Sequence, residues 1–298
     1  MTKTKFYESV AESVSEVLGS EVIVELQEVT KVNLSLDGLT IRKRNESIAP
    51  TIYLNQYFNQ FNDGRAMDDI VQDIIKVYEN NQPKNIMDVF KTEDFYDFEK
   101  MKEKIVLKVI NTERNLDLLE QVPHLDMEGL GLSVVFYVSL MTGEQSAGIL
   151  IKNEHLKLWE KTVSDLLTVA EVNTNRMHAF TIKSMNEVLS GMFGFEEDLI
   201  TDGPAFYVLT DENKTFGASQ LYLKDKIREF AKQQDCDDYI LPSSIHELLL
   251  LRADFPKLEP SYLKEMVYEV NTTQVSEEEF LFDGANKFEL ATDKIIAL

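Results

Sequence analysis

The stretch LGLSVVFYVSLMTGEQSAGILI, residues 130–151, decides the fold class of this chain. Two apolar runs, 130–140 and 148–151, flank the turn-forming residues Met-Thr-Gly-Glu at 141–144, which is the pattern of a β-hairpin. A hairpin pairs its strands antiparallel, whereas parallel strands need a long crossover connection. The stretch therefore predicts an antiparallel sheet.

Helices and further hairpins flank this stretch without a regular strand–helix–strand order. Apolar residues at helical spacing predict helices over residues 5–18, 67–81 and 260–272. Turn signals between strand-like runs predict hairpins at residues 37–38, 211–214 and 283–284. In the second of these hairpins, a strand over 206–209 returns as a strand over 219–223. The mixture predicts an α+β fold with mainly antiparallel sheets and packed helices.

Three apolar helical segments that end at asparagine resemble one another: DIIKVYENNQ at 73–82, LLTVAEVNTN at 166–175 and LKEMVYEVNTT at 263–273. Ahead of the first two, an asparagine is followed six residues later by an aromatic residue, at Asn55 and Phe61 and at Asn153 and Trp159. Duplication of a strand–helix–helix unit would explain this, and so would the general similarity of amphipathic helices. Both interpretations stay open. We predict three α+β modules, over residues 1–98, 99–185 and 186–298.

The chain is strongly acidic, with 52 acidic and 30 basic residues and a formal net charge of −22. Such a charge repels phosphate backbones and anionic lipids, so we expect neither direct nucleic-acid binding nor a membrane partner. No apolar run approaches the ~20 residues of a membrane span, and the first residues lack a signal-peptide core. We therefore predict a cytoplasmic location.

Motifs of several enzyme classes are missing from the sequence. It contains no Walker loop, no dinucleotide fingerprint after a strand and no Gly-x-Ser-x-Gly elbow. The single cysteine, Cys236, excludes a cysteine-rich zinc site and an internal disulfide. The acidic segments 235–238 and 211–217 lack the pattern of an EF-hand loop. We assign no catalytic residue, no metal ligand and no cofactor, and we favour a function other than catalysis.

The most polar cluster beside an apolar run is Ser243-Ser244-Ile245-His246-Glu247. A histidine near a hydroxyl and a carboxylate is the residue set of nucleophilic hydrolases. On a strand, Ser244 and His246 would share one face and Glu247 would point to the other. In a turn, the serines would instead cap backbone groups and His246 would be a structural donor. Both alternatives stay open.

Asn153 and His155 form a second candidate pair. We expect Asn153 to cap the helix that ends at Trp159. If the fold brought His155 and Glu154 to His246, two histidines and a carboxylate would suit iron or zinc. Capping explains Asn153 without a ligand, so we predict no metal site.

Three functions remain as hypotheses. The leading one is a cytoplasmic, acidic interaction or regulatory protein that acts through protein–protein contacts with an unknown partner. The first alternative is a hydrolase-like or metal-assisted enzyme centred on residues 243–247. The second is a polyanion mimic, whose acidic surface occupies a DNA-binding protein.

Five stretches, in this order, resemble a bacterial protein family, mostly from gut Firmicutes, that is known only as a domain of unknown function. They are SIAPTIYLNQYF at 47–58, ERNLDLLEQVPH at 113–124, ILIKNEHLKLW at 149–159, FYVLTDENKTFGAS at 206–219 and YILPSSIHELLLL at 239–251. The resemblance covers nearly the whole chain after residue 20. It implies a bacterial intracellular accessory protein and assigns no catalytic residue.

Overall fold

The computed structural model describes residues 1–44, 51–80, 92–142, 145–193, 205–255 and 258–298. Within these ranges the chain forms 12 α-helices and 13 strands, and every described strand pair is antiparallel, which confirms the predicted α+β class. The chain divides into two compact units, Met1–Thr92 and Glu93–Leu298. The three-module division and the repeated unit stay predictions.

The first unit packs three helices on one face of a three-stranded sheet. Its helices are α1 (Lys3–Leu18), α2 (Asn55–Asn62) and α3 (Met67–Asn80), and its strands are β1 (Val22–Lys31), β2 (Leu34–Lys43) and β3 (Thr51–Tyr53). The sheet order is β1-β2-β3. Leu39 and Ile41, two residues apart on β2, are fully buried against Phe6, Val10 and Ile70 of the helices. The alternating apolar residues of the strand and the helically spaced apolar residues of the helices therefore pack in one core.

The hairpin predicted at Asp37-Gly38 is wrong, because both residues lie inside β2 and pair with β1. The turn falls at residues 32–33, where Asn33 adopts a φ of 64°. Asparagine tolerates this left-handed conformation better than most residues. Gly38 is needed for another reason: a Cβ there would lie 2.3 Å from the Cγ2 of Thr51 on the neighbouring strand.

The second unit contains two antiparallel sheets. One joins β4 (Ile105–Asn111), β5 (His124–Met127), β6 (Leu132–Thr142) and β7 (Gln145–Leu150), and β6 pairs with the other three. The hairpin that decided the fold class is β6–β7, and its turn residues 143–144 lie outside the described residues. The other sheet consists of β8 (Phe180–Ser184), β9 (Phe206–Asp211), β10 (Asp238–Pro242), β11 (Leu248–Arg252), β12 (Asn286–Glu289) and β13 (Lys294–Ala297). Its order is β13-β12-β10-β11-β9-β8.

Nine further helices follow the first three within the described ranges. They are α4 (Thr92–Phe95), α5 (Phe98–Met101), α6 (Leu116–Leu119), α7 (Asn153–Trp159), α8 (Val163–Met177), α9 (Met185–Phe193), α10 (Gln220–Leu223), α11 (Asp225–Gln234) and α12 (Pro260–Thr273). Helix α11 reaches one face of the six-stranded sheet, where the ring of Phe230 lies 4.8 Å from that of Tyr207. Helix α12 covers the other face, where Leu263 packs with Leu241 and Leu251. All three predicted helices are present.

Two later hairpins also differ from the prediction. After β9 the chain forms a 3-10 turn over Gly217–Ser219 and then α10, because the carboxylate of Asp211 accepts the N–H groups of Thr215 and Phe216 and bends the chain back. The last hairpin turns at residues 290–293, between β12 and β13, and not at 283–284.

Candidate functional site

The predicted polar cluster 243–247 is the turn that joins β10 to β11, not part of a strand. The hydroxyl of Ser243 donates to the Oε1 of Glu247 at 3.2 Å. The hydroxyl of Ser244 accepts the backbone N–H of His246 at 3.0 Å. Both hydroxyls therefore bond inside the turn, which is the structural use of serine that competes with a nucleophilic one.

His246 ties this turn to the segment after β9. Its Nδ1 lies 3.1 Å from the carbonyl oxygen of Thr215, and its Nε2 lies 3.7 Å from the Oε1 of Glu279. Its own carbonyl oxygen accepts the N–H of Gly217 and the hydroxyl of Thr210, both at 2.9 Å. Through these hydrogen bonds, His246 connects two turns at one end of the sheet. Its side chain is only 27% exposed.

A buried histidine–aspartate pair lies beneath these turns and was missed by the sequence reasoning. The Nδ1 of His178 lies 2.8 Å from the Oδ2 of Asp211, and the ring of Phe216 stacks on His178 at 3.9 Å between centroids. Burial alone would raise the pKa of Asp211, but bonds from His178 and from the N–H groups of Thr215 and Phe216 outweigh it and hold the pKa well below its usual range. The pair spans 33 residues of sequence, so no local motif marks it.

Lys108 of β4 lies against the same turn. Its Nζ is 4.4 Å from the ring centroid of Phe216 and 5.3 Å from that of Tyr137. Burial lowers the pKa of Lys108, and the negative charge of Asp211 opposes this effect. Burial also raises the pKa of Tyr137 to about 12. The ammonium group of Lys108 therefore makes cation–π contacts with a ring of its own sheet and with a ring of the turn after β9.

Asn153 and His155 serve the start of α7, but not as predicted. The helix begins at Asn153 itself, so this residue is not its N-cap, and its Nδ2 donates to the carbonyl oxygen of Glu120 at 3.0 Å. The Nδ1 of His155 accepts the N–H of Lys152 at 3.0 Å, which satisfies a free donor ahead of the helix. Its ring meets Phe95 edge-on at 4.8 Å, and burial lowers its pKa.

The described residues contain no group of three or more histidine, cysteine, aspartate or glutamate side chains that could hold a metal ion. His155 bonds within α7, whereas His246 bonds at the end of the six-stranded sheet. The metal site considered from the sequence therefore receives no support from the side chains that the structure describes.

An open groove of about 330 Å³ lies between β8 and α11. Strand β8 ends the six-stranded sheet, and no strand in the described ranges pairs with its outer edge. Apolar side chains form the floor of the groove, and polar ones from α11 form its wall. The floor residues are Phe180, Ile182, Tyr207 and Phe230, and the wall residues are Lys226, Glu229, Gln233 and Gln234.

Ser184 and Glu187 close one end of this groove. The Oε2 of Glu187 accepts the N–H of Ser184 at 2.6 Å, and the hydroxyl of Ser184 accepts the N–H of Glu187 at 3.1 Å. This reciprocal arrangement is a capping box, which starts α9 at the end of the strand. Sequence reasoning did not find the groove, because its two walls come from segments about forty residues apart.

The fold and the groove define an α+β protein in which a helix lies beside a sheet edge that has no paired strand among the described residues, and other proteins bind extended peptides at such edges. The chain belongs to a family of unknown function, DUF5688, whose model matches residues 3–289. This confirms the family resemblance found in the sequence, while a bacterial origin stays a prediction. No curated protein and no solved structure matches the chain. Within the described ranges, no helix has both the length and the apolar composition needed to cross a membrane.

Proposed function

We propose that this protein is an acidic interaction or regulatory protein, and that it binds an extended, cationic segment of a protein partner in the groove between β8 and α11. The observation that carries the proposal is the groove: an apolar floor beside a sheet edge with which no strand of the described residues pairs. A cytoplasmic location and a bacterial origin belong to the same proposal.

Charge supports a cationic partner. The net charge of −22 attracts a positively charged segment over long distances and repels a second copy of the chain. At the groove, Glu187 and Glu229 are both exposed, and the Oε2 of Glu229 lies 2.8 Å from the Nζ of Lys226. Carboxylates at the rim and apolar side chains on the floor suit a segment that combines lysine or arginine with apolar residues.

The size of the groove supports an extended segment. A volume of about 330 Å³ lies at the lower end of the range for small-ligand sites, which is ~300–1,000 Å³. It has room for a few apolar side chains. The remaining affinity of such a segment would come from backbone bonds to the strand.

The other two functions have weaker support. A hydrolase centred on residues 243–247 would need a free nucleophile, but the hydroxyls of Ser243 and Ser244 already bond within the turn. A polyanion mimic would need carboxylates arranged at phosphate-like spacing along one face, and only the net charge of −22 supports this hypothesis.

Selection from a display library of random decapeptides tests the proposal. We expect enrichment of peptides in which an apolar residue has lysine or arginine two positions away on either side. The best peptide should bind the wild-type protein and bind Glu229→Lys at least about tenfold more weakly, since one close charge contact reverses sign.

Glu265→Lys is the matched control, because it changes the net charge equally from an exposed position on α12, on the opposite face of the sheet. We expect this variant to bind nearly as well as wild type. Failure of the library to enrich any saturable binder would overturn the proposal. So would an equal loss in both variants, which would show unspecific attraction to the whole surface.

A further inference from the structure

We infer that the partner segment binds by strand addition to β8, antiparallel to it, with one partner residue directly opposite Ile182. This inference rests on the proposed function and specifies how the same groove is used. The backbone of Ile182 would supply both hydrogen bonds of the pairing. The occupant is an extended segment with an apolar residue opposite Ile182 and a basic residue two positions away on either side.

The direction of the β8 backbone groups follows from two bonds at its ends. The N–H of Ser184 donates to the Oε2 of Glu187, and the N–H of Phe180 donates to the carbonyl oxygen of His178 at 2.9 Å. Neither group is therefore directed at β9. Backbone groups alternate in direction along a strand, so Ile182 also points outward. The N–H groups of residues 181 and 183 point to β9.

The two ends of β8 are already protected against pairing. The outward N–H groups of Phe180 and Ser184 have partners within the chain, so neither is available to another strand. Native sheets often block their edges in this way. Between them, Ile182 presents an N–H and a carbonyl to the outer side. In an antiparallel pair, one residue can exchange both bonds with the residue opposite it.

Side-chain direction connects this pairing to the groove. Phe180, Ile182 and Ser184 alternate along β8 and all line the groove. A partner residue opposite Ile182 places its side chain on the same face, directly over the apolar floor. Its neighbours two positions away reach the two ends of the groove, near Glu187 and near Lys226 and Glu229. Basic residues at these two positions therefore meet Glu187 and Glu229, whereas the residues between them face the other side of the sheet.

The test uses a fluorescein-labelled decapeptide of serine and threonine that carries one central valine with a lysine two positions away on either side, and fluorescence polarisation is the readout. We expect Ile182→Pro, which removes the outward N–H, to bind the peptide at least about tenfold more weakly than Ile182→Ala, which keeps it. The reason is that the carbonyl oxygen of the partner residue loses its hydrogen bond. Comparing these two variants cancels the loss of the isoleucine side chain. Equal affinities for Ile182→Pro and Ile182→Ala would overturn the inference.

Folding controls accompany this comparison. Proline is tolerated at an edge strand where the N–H faces outward, so Ile182→Pro should melt close to Ile182→Ala. Lys183→Pro removes an N–H directed at β9 and should melt at a clearly lower temperature. If Ile182→Pro fails to fold, hydrogen exchange of the wild-type Ile182 amide decides the matter. That amide should exchange at least about tenfold more slowly with the peptide bound, and an unchanged rate would contradict strand addition.

The outcomes separate the two proposals. If Glu229→Lys abolishes binding but Ile182→Pro and Ile182→Ala bind equally, the groove is the site and the strand-addition mode is wrong. If neither this peptide nor any library peptide binds the wild-type protein, both proposals fall. If sedimentation shows that the chain dimerises and that Ile182→Pro prevents this, the occupant is a second copy and the cationic partner is wrong.

Discussion

The Nδ1 of His178 lies 2.8 Å from the Oδ2 of Asp211, and this buried pair fastens the end of α8 to the end of β9. His178 follows the last residue of α8, and Asp211 is the last residue of β9. The same carboxylate accepts two backbone N–H groups from the turn that follows. One buried side chain therefore sets the position of a helix end, a strand end and a turn.

Asp211→Ala should destabilise the protein by about 3 kcal/mol, because it leaves the His178 ring and two backbone N–H groups without their hydrogen-bond acceptor. Chemical denaturation measures this as a lower midpoint. Glu212→Ala is the control at the exposed neighbouring position and should change stability by less than about 0.5 kcal/mol. Equal midpoints for the two variants would show that the pair contributes no stability.

Gly217→Ala should prevent normal packing of the turn at residues 243–247. A Cβ at Gly217 would lie 2.3 Å from the carbonyl oxygen of His246 and 2.8 Å from that of Leu209, and both atoms belong to the backbone. We expect a loss of at least about 3 kcal/mol or failure to fold. Gly191→Ala, within α9, brings the new Cβ within 4 Å of no atom of the described residues and should be neutral or stabilising by up to ~1 kcal/mol. Thermal melting of both variants tests the contrast.

Asp238→Asn should change the dependence of stability on pH. Asp238 is fully buried, its two carboxylate oxygens have no hydrogen-bond partner among the described residues, and burial raises its pKa from 3.8 to about 7, with Arg252 opposing the shift. Because the pKa is higher in the folded state, protonation of Asp238 stabilises the fold. This stabilisation is complete below pH 3.8 and is lost as the pH rises to about 7. Relative to wild type, Asp238→Asn should gain about 3 kcal/mol between pH 5 and pH 8.

Asp237→Asn is the control for this titration, because the neighbouring carboxylate shifts in the opposite direction. The Oδ2 of Asp237 lies 2.6 Å from the Nζ of Lys287, which lowers the pKa of Asp237. Its contribution is present above its ordinary pKa of 3.8 and is lost as the pH falls. Asp237→Asn should therefore lose stability relative to wild type at neutral pH and recover in acid. Parallel pH profiles for the two variants would contradict the environment described for Asp238.

His155→Ala should loosen the start of α7 and the surroundings of Trp159. It removes the acceptor of the Lys152 N–H and the ring that contacts Phe95, so we expect a loss of about 1 kcal/mol. Trp159 is the only tryptophan, is 5% exposed, and donates from Nε1 to the carbonyl oxygen of Phe95 at 2.7 Å. Its fluorescence reports the change directly. Unchanged emission together with unchanged stability would show that His155 does not organise this helix end.

Local patterns predicted the elements whose signal lies within one stretch of sequence. The apolar face of α3 and the two runs of the β6–β7 hairpin were predictable for this reason. Turn positions were less predictable, because Gly38 has the composition of a turn but serves the close approach of Thr51. The strand predicted over 219–223 failed similarly, since a buried carboxylate at Asp211 bends the chain before it.

Candidate sites were likewise predictable only where their residues are neighbours in the sequence. The serines and His246 were found as a cluster because they are neighbours in sequence, but their bonds inside a turn became visible only in the structure. The partner of His178 is 33 residues away, and the floor of the groove combines β8, β9 and α11. No spacing rule connects such residues, because their distances depend on how the elements pack.

The amino-acid sequence by itself determined the α+β class, the strongly acidic surface and the family, since periodicity, charge and extended similarity are properties of the linear chain. Tertiary structure alone decided which strand became an edge, which backbone groups of β8 point outward and which carboxylates are buried. The physical reason is that strand order, hydrogen-bond direction and burial depend on contacts between residues far apart in the chain.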